Sequence, residues 1–436
     1  MHAAFGSLNA CHPDSEKLGI MLCFIAFGFL LIDSMLVYAL AQSQSGIGNQ
    51  PKIKVETVAS HLEIPWSIVF SPDGRIFFTE RNGSIRLIDK DGKLIGEPVG
   101  KIGVVAVGEG GLLGIALDPN FEKNHFIYVY YTYSQFLGVY NKVSRFTEKD
   151  NKISDEKSIL EKIPASSIHD GGRIKFGPDE KLYIGVGDAS NRDSAQDTKI
   201  LSGKILRINS DGSIPDDNPI PNSPVYSYGN RNPQGLDWDP ITGKLVETEH
   251  GPSGEMGLSA HDEINVIESG KNYGWPRVIG NASDPSFVDP IFQTGDLTWA
   301  PSGATFYSAD KIPEWKGKYL VATLRGTHLE VLQLDVANKK VVSSESVFQN
   351  DYGRLRDVEQ SPDGYLYLLT SNRDGRGSPA PDDDRILKIV PDISPPVPEF
   401  DWPFVAFTIA SALVIGLFFA TKYRLKFSKS STLRNY

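Results

Sequence analysis

Six stretches of the chain repeat one arrangement of apolar and polar positions. They are PWSIVFSPDGRIFFTE (65–80), GLLGIALDPNFEKNHFIYVYYT (111–132), GGRIKFGPDEKLYIGVGD (171–188), PQGLDWDPITGKLVETEHG (233–251), PSGATFYSADKIPEWKGKYLVAT (301–323) and RLRDVEQSPDGYLYLLTSN (354–372). In each, a short alternating run leads into a turn rich in Pro, Asp, Asn or Gly, and a second alternating run follows. Side chains of a strand point to opposite faces in turn, and such turns join antiparallel neighbours. The repeats start about 46 to 68 residues apart. The gaps hold further strand-like runs: SIRLID (84–89), VSRFTE (143–148), GKILRIN (203–209) and DEINVI (262–267). A unit of this length with four strands has the size of a propeller blade. Six copies over residues 52–392 predict an all-β fold, a six-bladed β-propeller. The alternative, two unrelated β-sandwiches, does not account for the regular spacing. Radial closure also removes long exposed sheet edges.

The pattern changes at both ends. Residues 20–32 (IMLCFIAFGFLLI) are uncharged, Asp33 interrupts, and MLVYALA ends in Ala-x-Ala before Gln42. An aspartate at mid-bilayer costs roughly 2.5–3.5 kcal/mol, so residues 1–41 read as a cleaved signal peptide in preference to an N-terminal anchor. A proline-rich linker (393–401) precedes WPFVAFTIASALVIGLFFA (402–420), which carries no charge. At ~1.5 Å per residue that run approaches the ~30 Å core of a bilayer. Residues 402–421 therefore predict one transmembrane helix. Lys422, Arg424, Lys426 and Lys429 in the tail 422–436 place that end in the cytoplasm. The propeller is then expected at a cell membrane, extracellular or periplasmic.

Composition narrows the chemistry. Glycine (41), proline (28) and 10% aromatics suit short strands and tight turns. A net charge of −10 repels phosphate backbones, so nucleic acid is excluded as a partner. Both cysteines, Cys11 and Cys23, precede the repeats, which leaves the body without a thiolate metal site, a disulfide or a cysteine nucleophile.

The loops that lead into the repeats should share one face of the disc, around the central channel. They are EIPW (63–66), GEGG (108–111), IHDG (168–171), YGNRN (228–232), LTWA (297–300) and YGRLR (352–356). They bring together Glu109, His169, Arg231, Arg354 and Arg356. Three guanidinium groups at one mouth suit a planar polyanion, which they bind bidentately or by stacking. The alternative for each arginine is a structural pair with an acid such as Asp357. His169 could take a proton near neutral pH, or could be a hydrogen-bonded loop residue. His250, in TEHGP, precedes a Gly-Pro turn whose carbonyls suit calcium. Zinc held by His250 and His261 lacks a recognisable spacing. The acid runs DGSIPDDNP (211–219) and DDD (382–384) read as solvated turns.

The motifs SIHDGGRIKFGPDEKLYIGVGD, GKILRINSDGSIPDDNP, YSYGNRNPQGLDWDP, EHGP, DEINVIESGKNYGWP and RLRDVEQSPDG together resemble the soluble, pyrroloquinoline-quinone-dependent glucose and aldose sugar dehydrogenases, across about residues 55–392. The resemblance implies a six-bladed propeller. It implies that His169 takes the proton of the sugar C1 hydroxyl and that Arg231 lies beside the quinone oxygen, with Asn232 in the same cofactor-contacting pair. It further implies that Gly251 and Pro252 ligate calcium through their carbonyls and that Arg354 and Arg356 hold cofactor carboxylates. Arg325 stands where the glucose enzymes carry lysine. Glu109 stands where they have glutamine, at a substrate position, and Ile168 where they have an acid; both put glucose specificity in question. SGEMGLSAH (253–261) looks like an insertion, and the tryptophan of LTWAPSG aligns with no cofactor residue. The function so implied is a quinoprotein that oxidises aldoses at C1 to lactones and passes electrons to an external acceptor. The competing functions are a propeller without chemistry that binds a protein or glycan, and a calcium-dependent lactonase.

Overall fold

The computed structural model describes residues 51–136, 138–252, 254, 257, 260–394, 410, 411 and 413–415. Residues 51–392 form one unit, built from six four-stranded antiparallel sheets. In each, the two strands of a repeat lie innermost, and the runs placed in the gaps form the third strand. Blade I is Pro65–Phe70, Ile76–Glu80, Ser84–Ile88 and Gly100–Lys101. Blades II to V follow the same order, starting at Leu112–Leu117, Ile174–Phe176, Pro233–Trp238 and Pro301–Phe306. Blade VI combines Leu355–Gln360, Leu366–Thr370 and Ile386–Pro391 with Ile53–Ala59, the first strand of the unit. The ring is thus closed by pairing its two ends, with Ile53 opposite Pro391 and Thr57 opposite Leu387. This closing strand, and the outermost strands generally, are absent from the repeat pattern. Lys152–Pro164 of blade II shows why: its exposed positions follow no strict alternation.

The core lies between the blades. One buried cluster joins Leu113, Tyr128 and Tyr130 of blade II to Ile174, Leu182 and Ile184 of blade III. Another joins Leu320 and Leu329 of blade V to Leu355, Val358 and Leu366 of blade VI. Each blade therefore buries both of its faces, which is why the inner strands read as nearly continuous apolar runs.

The innermost strands line the channel with charges paired to one another. Arg173 Nη1 donates to Asp357 Oδ2 at 2.9 Å and to Ser67 Oγ at 2.9 Å. Asp357 also accepts the Ile68 N–H at 3.2 Å. Lys175 Nζ lies 3.1 Å from Asp237 and 2.5 Å from Glu359. Asp357 is thus the partner of Arg173, not of Arg354 or Arg356.

The expectation for DDD is corrected. Asp383 and Asp384 are buried, because Asp383 accepts from Asn372, Ala380 and Arg385, and Asp384 from the Asn372 and Arg373 N–H groups. These carboxylates satisfy backbone donors of a loop, which solvent would otherwise do. Asp217, in contrast, is the partly solvated partner of Arg207 at 2.8 Å.

The expected signal segment (1–41) lies outside the described residues, as do the linker from residue 395 on and most of the predicted span 402–421. Of that span, residues 410, 411 and 413–415 are described and helical. Among the described residues no helix is long and apolar enough to cross a membrane.

Candidate active site

The site forms where the innermost strands begin. Five of these starts carry a register shift against the second strand: between Pro65 and Ser67, Leu112 and Ile115, Pro233 and Gly235, Pro301 and Ala304, and Leu355 and Asp357. The unpaired residues in three of them are Trp66, Gln234 and Arg356. A bulge bends the strand and re-aims the extra side chain, and these three border one cavity with Glu109, Gly171, His250, Leu324 and Arg376. A local irregularity in three of these blades thus turns paired strands into the wall of a pocket.

His169 stands beside this cavity, buried, with φ at 63°. Its Nδ1 lies 2.8 Å from Asp188 Oδ1 and its Nε2 lies 2.9 Å from Arg231 Nη2. A guanidinium only donates. Nε2 is therefore the acceptor, and Nδ1 carries the hydrogen given to Asp188. The geometry selects the neutral tautomer with its basic lone pair on Nε2, and places a buried carboxylate behind the ring. Asp188 is itself held by Trp275 Nε1 at 2.8 Å and by the Ser190 N–H at 2.8 Å. Only glycine fits at position 187, where a Cβ would lie 2.0 Å from the His169 carbonyl oxygen.

Arg231 crosses between blades. Besides His169, its Nη1 donates to the His250 carbonyl at 2.8 Å, and its guanidinium lies 5.3 Å from the centre of the Trp275 ring. Its N–H donates to Glu249 Oε1 at 2.6 Å. Asn232 Oδ1 accepts the Gly171 N–H at 3.1 Å. Glu109 Oε2 accepts the His169 N–H at 2.8 Å and Oε1 accepts Arg376 Nη1 at 2.7 Å. Burial works to raise the Glu109 carboxyl, but His250, Arg376 and the His169 N–H outweigh it and hold it at about 2. His250 is itself driven down to about 3 by burial, with Arg356 and Arg231 adding to the effect. It is neutral at pH 7, so Arg376 and the amide carry the stabilisation of Glu109 there.

Arg356 is fully enclosed. Burial brings its guanidinium down to about 9, Asp374 opposing and Arg354 reinforcing. It bonds only neutral groups, Gln234 Oε1 at 3.1 Å and Ser302 Oγ at 3.3 Å. Arg354, two positions earlier, is held by an internal acid: Nε and Nη2 reach Asp374 Oδ2 at 3.0 and 2.7 Å. Arg325 is exposed and borders a neighbouring cavity of about 480 Å³ with Arg354 and Arg376. Gly251 and Pro252 border a small pocket with Arg231, Trp275, Glu249 and Glu263. Glu249 and Glu263 are both pushed up, by burial first, with repulsion from Glu263 adding at Glu249 and from Asp262 at Glu263. Among the described residues no three His, Cys, Asp or Glu side chains converge as a metal-binding group.

The structure therefore brings together His169, Arg231, Asn232, Glu109 and Arg356, puts Arg354 and Arg325 in the adjoining cavity, and sets Gly251 and Pro252 on the far side of Arg231. Trp299, of LTWAPSG, does not join them; it stacks on Phe292 at 5.0 Å. The insertion is described only at residues 254, 257, 260 and 261. Asp188, Gln234, Trp275, Arg376 and Asp374 escaped the sequence reading, as did Arg81, which interacts electrostatically with Asp374, Glu109 and Arg376.

Among the described residues, the buried groups at this mouth that lack a hydrogen-bond partner include Arg356 Nε, Asn232 Nδ2 and His250 Nε2. Leaving such groups unsatisfied costs about 1–3 kcal/mol each. Two of them are obligate donors, so the mouth suits an acceptor-rich, anionic ligand.

Comparison with known proteins points the same way. A family profile described as Glucose / Sorbosone dehydrogenase matches residues 62–386. The PQQ-bound aldose sugar dehydrogenase of Streptomyces coelicolor superposes with a TM-score of 0.69 at 36% identity, covering 78% of this chain and 99% of that one. An aldose sugar dehydrogenase of Escherichia coli K12 is 33% identical, over 74% of this chain and 91% of its own. Quinoprotein glucose dehydrogenase B of Acinetobacter calcoaceticus is 29% identical, over 76% and 88%.

Proposed function

Since the chain belongs to the glucose and sorbosone dehydrogenase family, we propose that it oxidises the C1 hydroxyl of aldose sugars to lactones with pyrroloquinoline quinone as its redox cofactor and an external acceptor for the electrons. The observation that carries this reading is the pairing of His169 with Asp188 and Arg231, beside a buried guanidinium, that of Arg356, with no ion-pair partner among its hydrogen bonds. When bound, the quinone supplies the two-electron oxidant that no side chain provides.

The residues fit such a group. It is a planar tricarboxylate, and Arg356 Nε and Asn232 Nδ2 are buried donors in need of acceptors. Arg356 and Arg354 would hold its carboxylates, and Arg231 would stand by its reducible carbonyl, where a fixed positive charge favours gain of negative charge. Calcium would be held through the Gly251 and Pro252 carbonyls, in a pocket that Glu249 and Glu263 also line.

His169 Nε2 accepts the hydroxyl proton of the sugar. To do so it must exchange the Arg231 Nη2–H for the sugar O–H, and that N–H then donates toward developing negative charge while Nη1 stays on the His250 carbonyl. Asp188 then stabilises the imidazolium through Nδ1–H, as a carboxylate behind a general base does. Glu109, ionised and anchored to the His169 N–H, is an acceptor for another sugar hydroxyl, and Ile168 offers none. Such a site favours aldoses broadly over glucose in particular.

Addition of pyrroloquinoline quinone and calcium to folded, cofactor-free protein should give quinone absorbance that changes on adding sugar, with dye reduction. His169→Gln should bind quinone as the wild type does and lose about 10²–10⁴-fold in kcat. Folded protein that takes up no quinone, or a His169→Gln variant that turns over normally, would refute the assignment.

A further inference from the structure

Two cavities meet at the side chains of Leu324 and Arg376. The inner one, about 20 Å³, is walled by Trp66, Gln234, His250 and Arg356. The outer one, about 480 Å³, is bordered by Arg325 and Arg354. The inner volume suits a water molecule and not a tricyclic quinone. Neither cavity alone presents both Arg354 and Arg356 to one ligand. What divides them is an ion pair between residues far apart in the chain, Arg376 Nη1 to Glu109 Oε1 at 2.7 Å.

Arg376 is built to move. It lies on a turn whose backbone is fixed independently: its own N–H donates to Asp374 Oδ1 at 2.9 Å, and Asp374 is held in turn by Arg354. Its side chain is 53% exposed, so rotation about its own bonds needs no change in the core. Glu109 is less free. Its second oxygen stays on the His169 N–H whether or not Arg376 is present.

We infer that Arg376 is a further cofactor-binding residue, which gives up Glu109 and takes a carboxylate of the incoming quinone, so that the two cavities become one. The inference rests on the quinone reading above. The exchange replaces one carboxylate by another on the same guanidinium, so no charge is left unpaired at Arg376. Arg81 adds positive charge within reach of Glu109 and Arg376, which favours the arrival of an anion. Glu109 is released only when cofactor is in place, and its freed oxygen then lies beside His169 as a sugar acceptor. Loading the cofactor thereby completes the substrate side.

A structural ion pair and an exchanging one make opposite demands. If the pair only braces the mouth, loss of either partner weakens quinone binding alike. If Arg376 exchanges partners, the two single variants move in opposite directions. Pyrroloquinoline quinone is titrated, with calcium present, into cofactor-free wild type, Arg376→Gln, Arg376→Lys and Glu109→Gln, and binding is read by tryptophan fluorescence, without turnover. Loss of one charge-assisted hydrogen bond should weaken Arg376→Gln by about 10- to 100-fold, with partial recovery in Arg376→Lys. Glu109→Gln should bind at wild-type affinity or up to about fivefold tighter, because an exposed competing pair is gone. Arg376→Gln at or above wild-type affinity, or Glu109→Gln binding more weakly than wild type, overturns this inference alone. A wild type that binds no quinone overturns the parent reading with it.

Discussion

His169 occupies a left-handed backbone conformation that a residue with a Cβ seldom adopts. It is kept there by bonds on both sides: its N–H goes to Glu109 and its carbonyl accepts the Ala189 N–H at 3.1 Å. One residue on a neighbouring blade thus fixes the backbone of the proposed general base. Glu109 also has a measurable signature. Its folded carboxyl is held at about 2, below its ordinary value of 4.5. The unfolded chain therefore takes up the proton first as pH falls. Stability from this group is complete above about 4.5 and is lost as pH falls toward about 2. In the cofactor-free protein, Glu109→Gln should have a lower urea midpoint than wild type at pH 7, and the gap should close as pH falls below 4.5. A constant gap across that window would show that the ionised form contributes nothing. At this scale the titratable and cationic residues of the mouth loops were legible, because loops entering repeated strands carry binding groups. Their partners were not: Arg376 lies 267 positions from Glu109, and no local pattern links them.

The inner strand pair of each blade was legible for a plain reason. Both faces pack on neighbouring blades, so apolar residues recur between strong turn signals. Outer strands such as Gly100–Lys101 and Phe292–Gln293 are two residues long and leave no pattern. The closing strand Ile53–Ala59 lies far from its partner in sequence, and only the need to pair the last blade calls for it. Its six cross-strand pairs, at roughly 0.2–1 kcal/mol each, give about 1–6 kcal/mol. Deleting residues 51–59 should lower the stability of the propeller by that amount and expose the edge of Ile386–Pro391. An unchanged denaturant midpoint would mean that the strand is dispensable. The same antiparallel geometry explains a missed signal. If first strands start at the mouth, second strands must end there. The residues that follow them, Arg81, Asp188 and His250, belong to the site for that reason, and the repeats already contained Asp188 and His250.

For the whole molecule, the ring is held together through its channel as well as between its blades. Asp357 of blade VI binds Arg173 of blade III and the Ile68 N–H of blade I. It pins three inner strands to one buried point. Asp357→Ala should destabilise the protein by about 3–5 kcal/mol, since Arg173 would be left charged and uncompensated in the interior; urea unfolding measures it, and a loss under about 1 kcal/mol would show that Arg173 finds other partners. The chain by itself determined the number of blades, the face on which the binding loops gather and the residue types available there, because strand alternation and turn chemistry are local and repeat six times. Tertiary structure alone decided the tautomer of His169, the pairing of Arg354 with Asp374 while Arg356 stays unpaired, the bulges that aim Trp66, Gln234 and Arg356 inward, and the division of the mouth by Arg376. These features depend on atoms brought together from separate strands, several of them on different blades, and closing a ring makes neighbours of residues whose separation in sequence carries no record of it.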